Sequence, residues 1–127
     1  MLQKLEFKRE ANLIGGAWVD ADDGATIAVT DPATGDVIGT VPRCGRAETK
    51  RAIEAAANAF PDWSRRTAAE RAEALRRLAT LIEQNKEELA MLLTVEQGKP
   101  LAEARTEIAS SAAYVLWFAE EARRIYG

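Results

Sequence analysis

The feature that most constrains this chain is the spacing of its apolar residues, which changes period once, near Gly45. Beyond that point Ile53, Ala56, Ala57 and Phe60 fall at i, i+3, i+4 and i+7, the stripe of an amphipathic helix, with Lys50, Arg51 and Glu54 off it. Pro61 is expected to end this helix. Thr67-Ala68-Ala69-Glu70 then has the pattern of a capping box, and Leu75, Leu78, Ala79 and Ile82 repeat the stripe behind it. Asn85-Lys86-Glu87-Glu88 reads as another N-terminal cap ahead of Leu89, Leu92 and Leu93. Gly98 supplies a left-handed stop, and Pro100 suits the first turn of the next helix. That last helix is expected from Pro100 to Ile125, burying Leu101, Ala104, Ile108, Ala112, Val115, Ala119 and Ala122. At about 1.5 Å per residue it would reach roughly 40 Å, long for a small domain. Trp117, Phe118 and Tyr126 add apolar surface on more than one of its faces.

Before Gly45 the period is two. Leu13-Ile14 and Trp18-Val19 flank Gly15-Gly16-Ala17, a turn in which glycine can take positive φ. Ile27 and Val29 alternate with Thr26, Ala28 and Thr30 as in a half-buried strand. Asp31-Pro32-Ala33-Thr34-Gly35-Asp36 makes a turn, and Val37, Ile38 and Val41 form the returning strand, closed by Pro42. The expectation is therefore a β-hairpin region followed by about four α-helices. The apolar stripes of those helices must lie against one another as a bundle or against a sheet that residues 1–127 do not encode.

What the chain lacks narrows its chemistry. It contains no histidine, so it cannot build a Ser-His-Asp or Cys-His nucleophile or an imidazole zinc site. A net charge of −3 argues against nucleic acid as a partner. The first ten residues have no continuous apolar core and so no secretory signal, and no apolar run is long enough to span a bilayer. Cys44 is the single cysteine, which fits a reducing compartment; the expected location is the cytoplasm, with no membrane partner. Neighbouring Arg43 and Arg46 could activate a thiolate, but the plainer reading of Cys44 is a structural thiol. Gly15-Gly16 and Gly35 with Gly39 sit in turn and strand contexts, and no G-x-G-x-x-G leads into a helix. Arg65, Arg66, Arg71, Arg76 and Arg77 alternate with Glu70 and Glu73 as on a solvated helix face.

Several segments resemble one family. Val29-Thr30-Asp31-Pro32-Ala33-Thr34-Gly35-Asp36-Val37-Ile38 and Thr94-Val95-Glu96-Gln97-Gly98-Lys99-Pro100-Leu101-Ala102-Glu103-Ala104 are similar to stretches near the start of aldehyde dehydrogenases. Phe60-Pro61-Asp62-Trp63 and residues 71–85 keep that family's order and spacing. Trp117-Phe118-Ala119-Glu120-Glu121-Ala122-Arg123-Arg124-Ile125-Tyr126-Gly127 resembles the succinate-semialdehyde branch, and the resemblance runs over residues 13–127. Thr106 and Ser111 depart from that branch, where glycine and tyrosine are common, and both lie on a helix that borders the family's substrate entrance.

The resemblance implies an α/β parent enzyme with a Rossmann-like cofactor domain, of which residues 1–127 form the N-terminal part. A cysteine thiolate attacks the aldehyde, hydride passes to NADP or NAD, and a glutamate activates the water that releases the acid. Those residues are expected beyond this segment, so none of its residues is assigned to catalysis or cofactor binding and the segment alone is expected to be inactive. The implied partners are the remainder of the dehydrogenase chain and, at full length, further copies in a homo-oligomer, a dimer or tetramer. The resemblance also implies a monovalent cation held by backbone carbonyls near Val29 and Thr30 with an oxygen of Glu96, although the Glu96 turn also reads as a simple helix stop. Ser110 and Ser111 are candidates to line the substrate entrance, with helix-surface polarity as the rival reading. Two alternatives stay open: a stand-alone helical interaction module, and another aldehyde dehydrogenase branch.

Overall fold

A computed structural model describes residues 7–125; Tyr126 and Gly127 of the resembling segment, and most of the N-terminal stretch, lie outside the described residues. The chain forms two compact units, Met1–Ser64 and Arg65–Gly127.

The first unit opens with β1 (Asn12–Ile14) and β2 (Ala17–Val19), paired antiparallel with Ile14 opposite Ala17. The two residues between them, Gly15 and Gly16, both have positive φ, 60° and 84°. That is the hairpin turn whose twist matches the strands, and it is open to glycine because a side chain there is strained. A second antiparallel pair joins β3 (Thr26–Thr30) to β4 (Val37–Pro42). In its turn the Asp31 carboxylate accepts the Ala33 N–H at 2.8 Å, Gly35 donates to the Asp31 carbonyl, and Gly35 takes φ 79°. The alternation on β3 buries less than expected: Val29 is half-buried, but Ile27 is exposed.

Helix α1 (Arg46–Arg65) corrects the expectation at Pro61, which lies inside the helix and not at its end. Proline removes only its own N–H and crowds the preceding turn, while the residues after it can still donate to earlier carbonyls. The Ser64 hydroxyl donates to the Pro61 carbonyl at 3.0 Å in the final turn. The stripe read on this helix is not covered: Ile53 and Phe60 are 64% and 65% exposed.

The second unit holds α2 (Ala68–Gln84), α3 (Lys86–Gln97) and α4 (Leu101–Glu121), with α4 packed against both of the others. The capping box is present: the Thr67 hydroxyl accepts the Glu70 N–H, and the Glu70 carboxylate accepts the Thr67 N–H at 2.8 Å. Asn85 does not cap α3 as expected. Its side-chain amide turns back and donates to the Leu81 carbonyl at 2.8 Å, so it closes α2. Gly98 ends α3 in the left-handed region at φ 74°, donating to the Thr94 carbonyl.

Helix α4 stops at Glu121, four residues short of the expected Ile125. Arg123 and Arg124 donate to the carbonyls of Glu120 and Glu121, tightening the chain into three-residue turns that cannot propagate an α-helix. The seven residues expected on its inner side are all buried or half-buried. On α2, Ala79 is buried and Leu75 and Ile82 half-buried, whereas Leu78 is 46% exposed and buried Ala72 takes the inner position.

Alanine dominates this packing. Ala72 and Ala79 on α2, Ala90 on α3, and Ala104, Ala112 and Ala119 on α4 are the unit's buried residues among those described. Small side chains let helix backbones approach closely. The large apolar groups Leu78, Leu81, Tyr114, Leu116, Trp117 and Phe118 stay exposed.

Candidate functional site

The first unit places its polar chemistry where the β1–β2 hairpin and the loop after it meet α1. Glu48 is the buried charged residue among those described, at 7% exposure. Its two carboxylate oxygens accept the backbone N–H groups of Asp22 at 3.1 Å and Gly45 at 3.0 Å. These donors, the Asp22 amide foremost, hold the carboxyl below its usual range. Asp22 in turn receives both guanidinium nitrogens of Arg51. The cluster is thus a closed set of partners that fixes the start of α1. A signal for it existed in the sequence: Glu48 stands three residues after Gly45, the offset of a capping box with glycine in place of serine or threonine.

Beside that cluster Cys44 is exposed and accepts the Asn12 side-chain amide at 3.0 Å. An amide donor is not a base, and no imidazole exists in the chain to take the thiol proton.

The residues implied as cation ligands are distributed over both units. Val29 and Thr30 sit at the end of β3, at the register shift where the ladder passes from Val29 opposite Gly39 to Thr30 opposite Val37. Such a bulge interrupts regular ladder pairing, the setting in which strand carbonyls can face another acceptor of their lone pairs. Glu96 is exposed in the last turn of α3. Carbonyl and carboxylate oxygens are the donor types a hard cation takes, so the residues fit the group chemically.

In the second unit, Ser110 and Ser111 are exposed on α4. Tyr114, Trp117 and Phe118 follow at three- and four-residue spacing, which gives one outward face carrying two serine hydroxyls and three aromatic side chains. The rings of Tyr114 and Phe118 meet edge to face at 4.8 Å. Between α2 and α4 runs a groove of about 480 Å³ lined by Arg76, Ala79, Thr80, Glu83, Gln84, Ala112, Ala113 and Leu116.

Two arginines depart from the solvated face expected of their cluster. Arg76 is half-buried and donates through Nε and Nη2 to Glu120 at 3.1 and 2.8 Å, which lowers the Glu120 carboxyl. Arg71 is half-buried with its Nε enclosed and unpaired. Arg65, Arg66 and Arg77 are exposed as expected. A further pair joins α3 to α4, Arg105 to Glu87 at 2.8–3.1 Å, and Lys99 in the loop between them pairs with Glu107 of α4.

Among the described residues, no helix is long and apolar enough to cross a membrane, and no three His, Cys, Asp or Glu side chains form a metal cluster.

Comparison with known proteins gives this segment its context. The aldehyde dehydrogenase family model matches residues 18–127. The chain is 57% identical to the glutarate-semialdehyde dehydrogenase of Pseudomonas putida over 99% of its own length and 26% of that protein. It is 51% identical to the NADP-dependent succinate-semialdehyde dehydrogenase of Escherichia coli, over 94% of itself and 25% of the relative. The crystal structure of succinate-semialdehyde dehydrogenase from Burkholderia pseudomallei superposes with a TM-score of 0.91 at 55% identity, over 94% of this chain and 25% of that one. The chain thus spans about a quarter of the length of these relatives. With the four helices and two hairpins of the matching segment in place, the chain belongs to the aldehyde dehydrogenase family.

Proposed function

We propose that residues 1–127 are the N-terminal part of the cofactor domain of an NAD(P)-dependent dehydrogenase. Its substrate is a short aldehyde with a carboxylate at the far end, succinate or glutarate semialdehyde. The observation that carries this is that the two relatives described above, at 57% and 51% identity, are each named for an aldehyde of that form, one of them for NADP as well. The overall change is aldehyde plus oxidised nicotinamide plus water to acid, reduced nicotinamide and a proton. Nothing in this segment takes part in those bond changes. Its contribution is the placement of α4, whose Ser110 and Ser111 border the substrate entrance, and of the β3 end. The carbonyls of Val29 and Thr30 in the first unit, and by itself the Glu96 carboxylate in the second, are donors of the type a monovalent cation takes; such a cation would supply local charge and rigidity and no redox chemistry. The full-length enzyme works in the cytoplasm as a homo-oligomer.

The test uses the full-length enzyme with NADP or NAD and compares succinate semialdehyde, glutarate semialdehyde and neutral aldehydes of the same chain lengths. Loss of the charged partner should lower kcat/KM by about 100-fold or more, because a site built to pair a carboxylate is left unpaired. Equal rates with the neutral aldehydes would refute the substrate class. The 127-residue chain assayed alone should give no reduced nicotinamide above a no-protein control.

A further inference from the structure

Gly39 is a glycine that its own backbone does not require. It stands inside β4, opposite Val29 of β3, and is not among the glycines of positive φ. Glycine in a strand interior gives up entropy and a side chain to pack, so it marks a place where another part of the chain comes close. Here that part is the segment just before β1. A methyl group on Gly39 would lie 2.6 Å from Glu10 Oε1 and 2.8 Å from both Cε and Nζ of Lys8. Lys8 Nζ donates to Glu10 Oε1 at 2.7 Å, so an ion pair lies over the bare backbone. The Thr40 hydroxyl donates to Glu10 Oε2 at 3.3 Å. These partners, Lys8 foremost, hold the Glu10 carboxyl below its usual range. Arg9, between the two, sets its guanidinium over the Trp18 ring of β2, 5.8 Å from the centroid. Three consecutive side chains thus reach both hairpins of the first unit, β2 through Arg9 and β4 through Lys8 and Glu10.

We infer that residues 8–10 are a strap that closes over the bare backbone of Gly39 and ties the β1–β2 hairpin to the β3–β4 hairpin. Its contacts are exposed and each contributes little alone, so the strap opens far more readily than the strands beneath it unfold. Salt loosens it, because about 1 M screens charge to roughly 3 Å. A side chain at position 39 occupies its seat and holds it open. The pair under the strap is Val29 with Gly39, beside the register shift at Thr30, so the closed strap steadies the ladder next to that shift. None of this depends on the dehydrogenase reading.

Trypsin cleaves after Lys8 and Arg9, which makes it a probe of the strap. The full-length protein is digested under native conditions and cleavage at these two bonds is followed by mass spectrometry. Each rate is divided by that of a free peptide of residues 1–15 in the same buffer. The parent should be cut at least about tenfold more slowly than the peptide, and Gly39→Val at least about fivefold faster than the parent. Sodium chloride at about 1 M should move the parent toward the Gly39→Val rate. Parent cleavage at the peptide's rate overturns the inference, and so does a Gly39→Val protein as protected as the parent. A second comparison decides the matter even where Gly39→Val fails to fold in the parent. In the Lys8→Ala/Glu10→Ala background the seat is empty, and a β-branched residue suits a strand. There Gly39→Val should be tolerated, with a more favourable change in thermal midpoint than it causes in the parent. The same change in both backgrounds would mean that glycine is needed at position 39 for another reason, and would overturn the inference.

Discussion

Replacing Ala104 by leucine should damage the helical unit out of proportion to so small a change. Ala104 has no solvent-accessible surface and lies on the inner side of α4, the helix packed against both α2 and α3. Three added carbons would stabilise by about 1.5–3 kcal/mol if they found a vacant apolar site. At a contact made of alanines they find backbone, and the helices must part or the side chain must leave its preferred rotamer, at about 1–3 kcal/mol. Taking about 2 kcal/mol, and a urea slope of about 2 kcal/mol per molar for a chain of this size, the unfolding midpoint should fall by about 1 M. Urea titration followed by far-ultraviolet circular dichroism measures this. Ala102→Leu, two residues away on the exposed side of the same helix, should stay within about 0.5 kcal/mol of the parent. If Ala104→Leu matches that control or raises the midpoint, close packing on alanine is the wrong account of how this unit holds together.

Three further outcomes are expected. Thr67→Ala removes the hydroxyl that accepts the Glu70 N–H and should lower the unfolding free energy by about 1 kcal/mol, with Thr67→Ser close to neutral; urea midpoints of the two variants decide it. Gly98→Val puts a β-branched residue at φ 74° and should cost about 1–2 kcal/mol, with Gly98→Asn milder; a Val variant as stable as the parent would contradict the left-handed stop. Stability should fall with acid, because Glu87 beside Arg105, Glu120 beside Arg76 and Glu48 under backbone N–H groups all have carboxyls lowered from 4.5 in the folded chain. A lowered folded-state value means the stabilisation is complete above about pH 4.5 and is lost as pH falls through the folded values, so urea midpoints should drop on that side only. Glu87→Gln should flatten part of that drop.

Local rules were legible at full resolution. Gly15-Gly16 between two short apolar pairs specified the tight hairpin because positive φ at both positions suits few other residues. Thr67 with Glu70, and Gly98 ahead of Pro100, fixed a start and a stop because their partners lie within four residues. The inner side of α4 was readable for the same reason: a 3.6-residue period is a property of the helix alone. The candidate site residues were legible only through resemblance, because backbone carbonyls at Val29 and Thr30 and two helix-surface serines carry no spacing signature.

What only the tertiary structure decided is where side chains meet across distance. Arg76 and Glu120 are 44 positions apart, and no local pattern marks them as partners. Pro61 reads as a terminator by propensity, yet the helix continues to Arg65. Asn85 is a good cap in either direction, and its amide went to Leu81 behind it. Leu78 has the spacing of a core residue and lies exposed, while Ala72, six positions earlier on the same helix, is buried. Periodicity says which residues share a face of a helix, but the burial of that face depends on what other chain atoms reach it, and that is set by packing between elements and not within one.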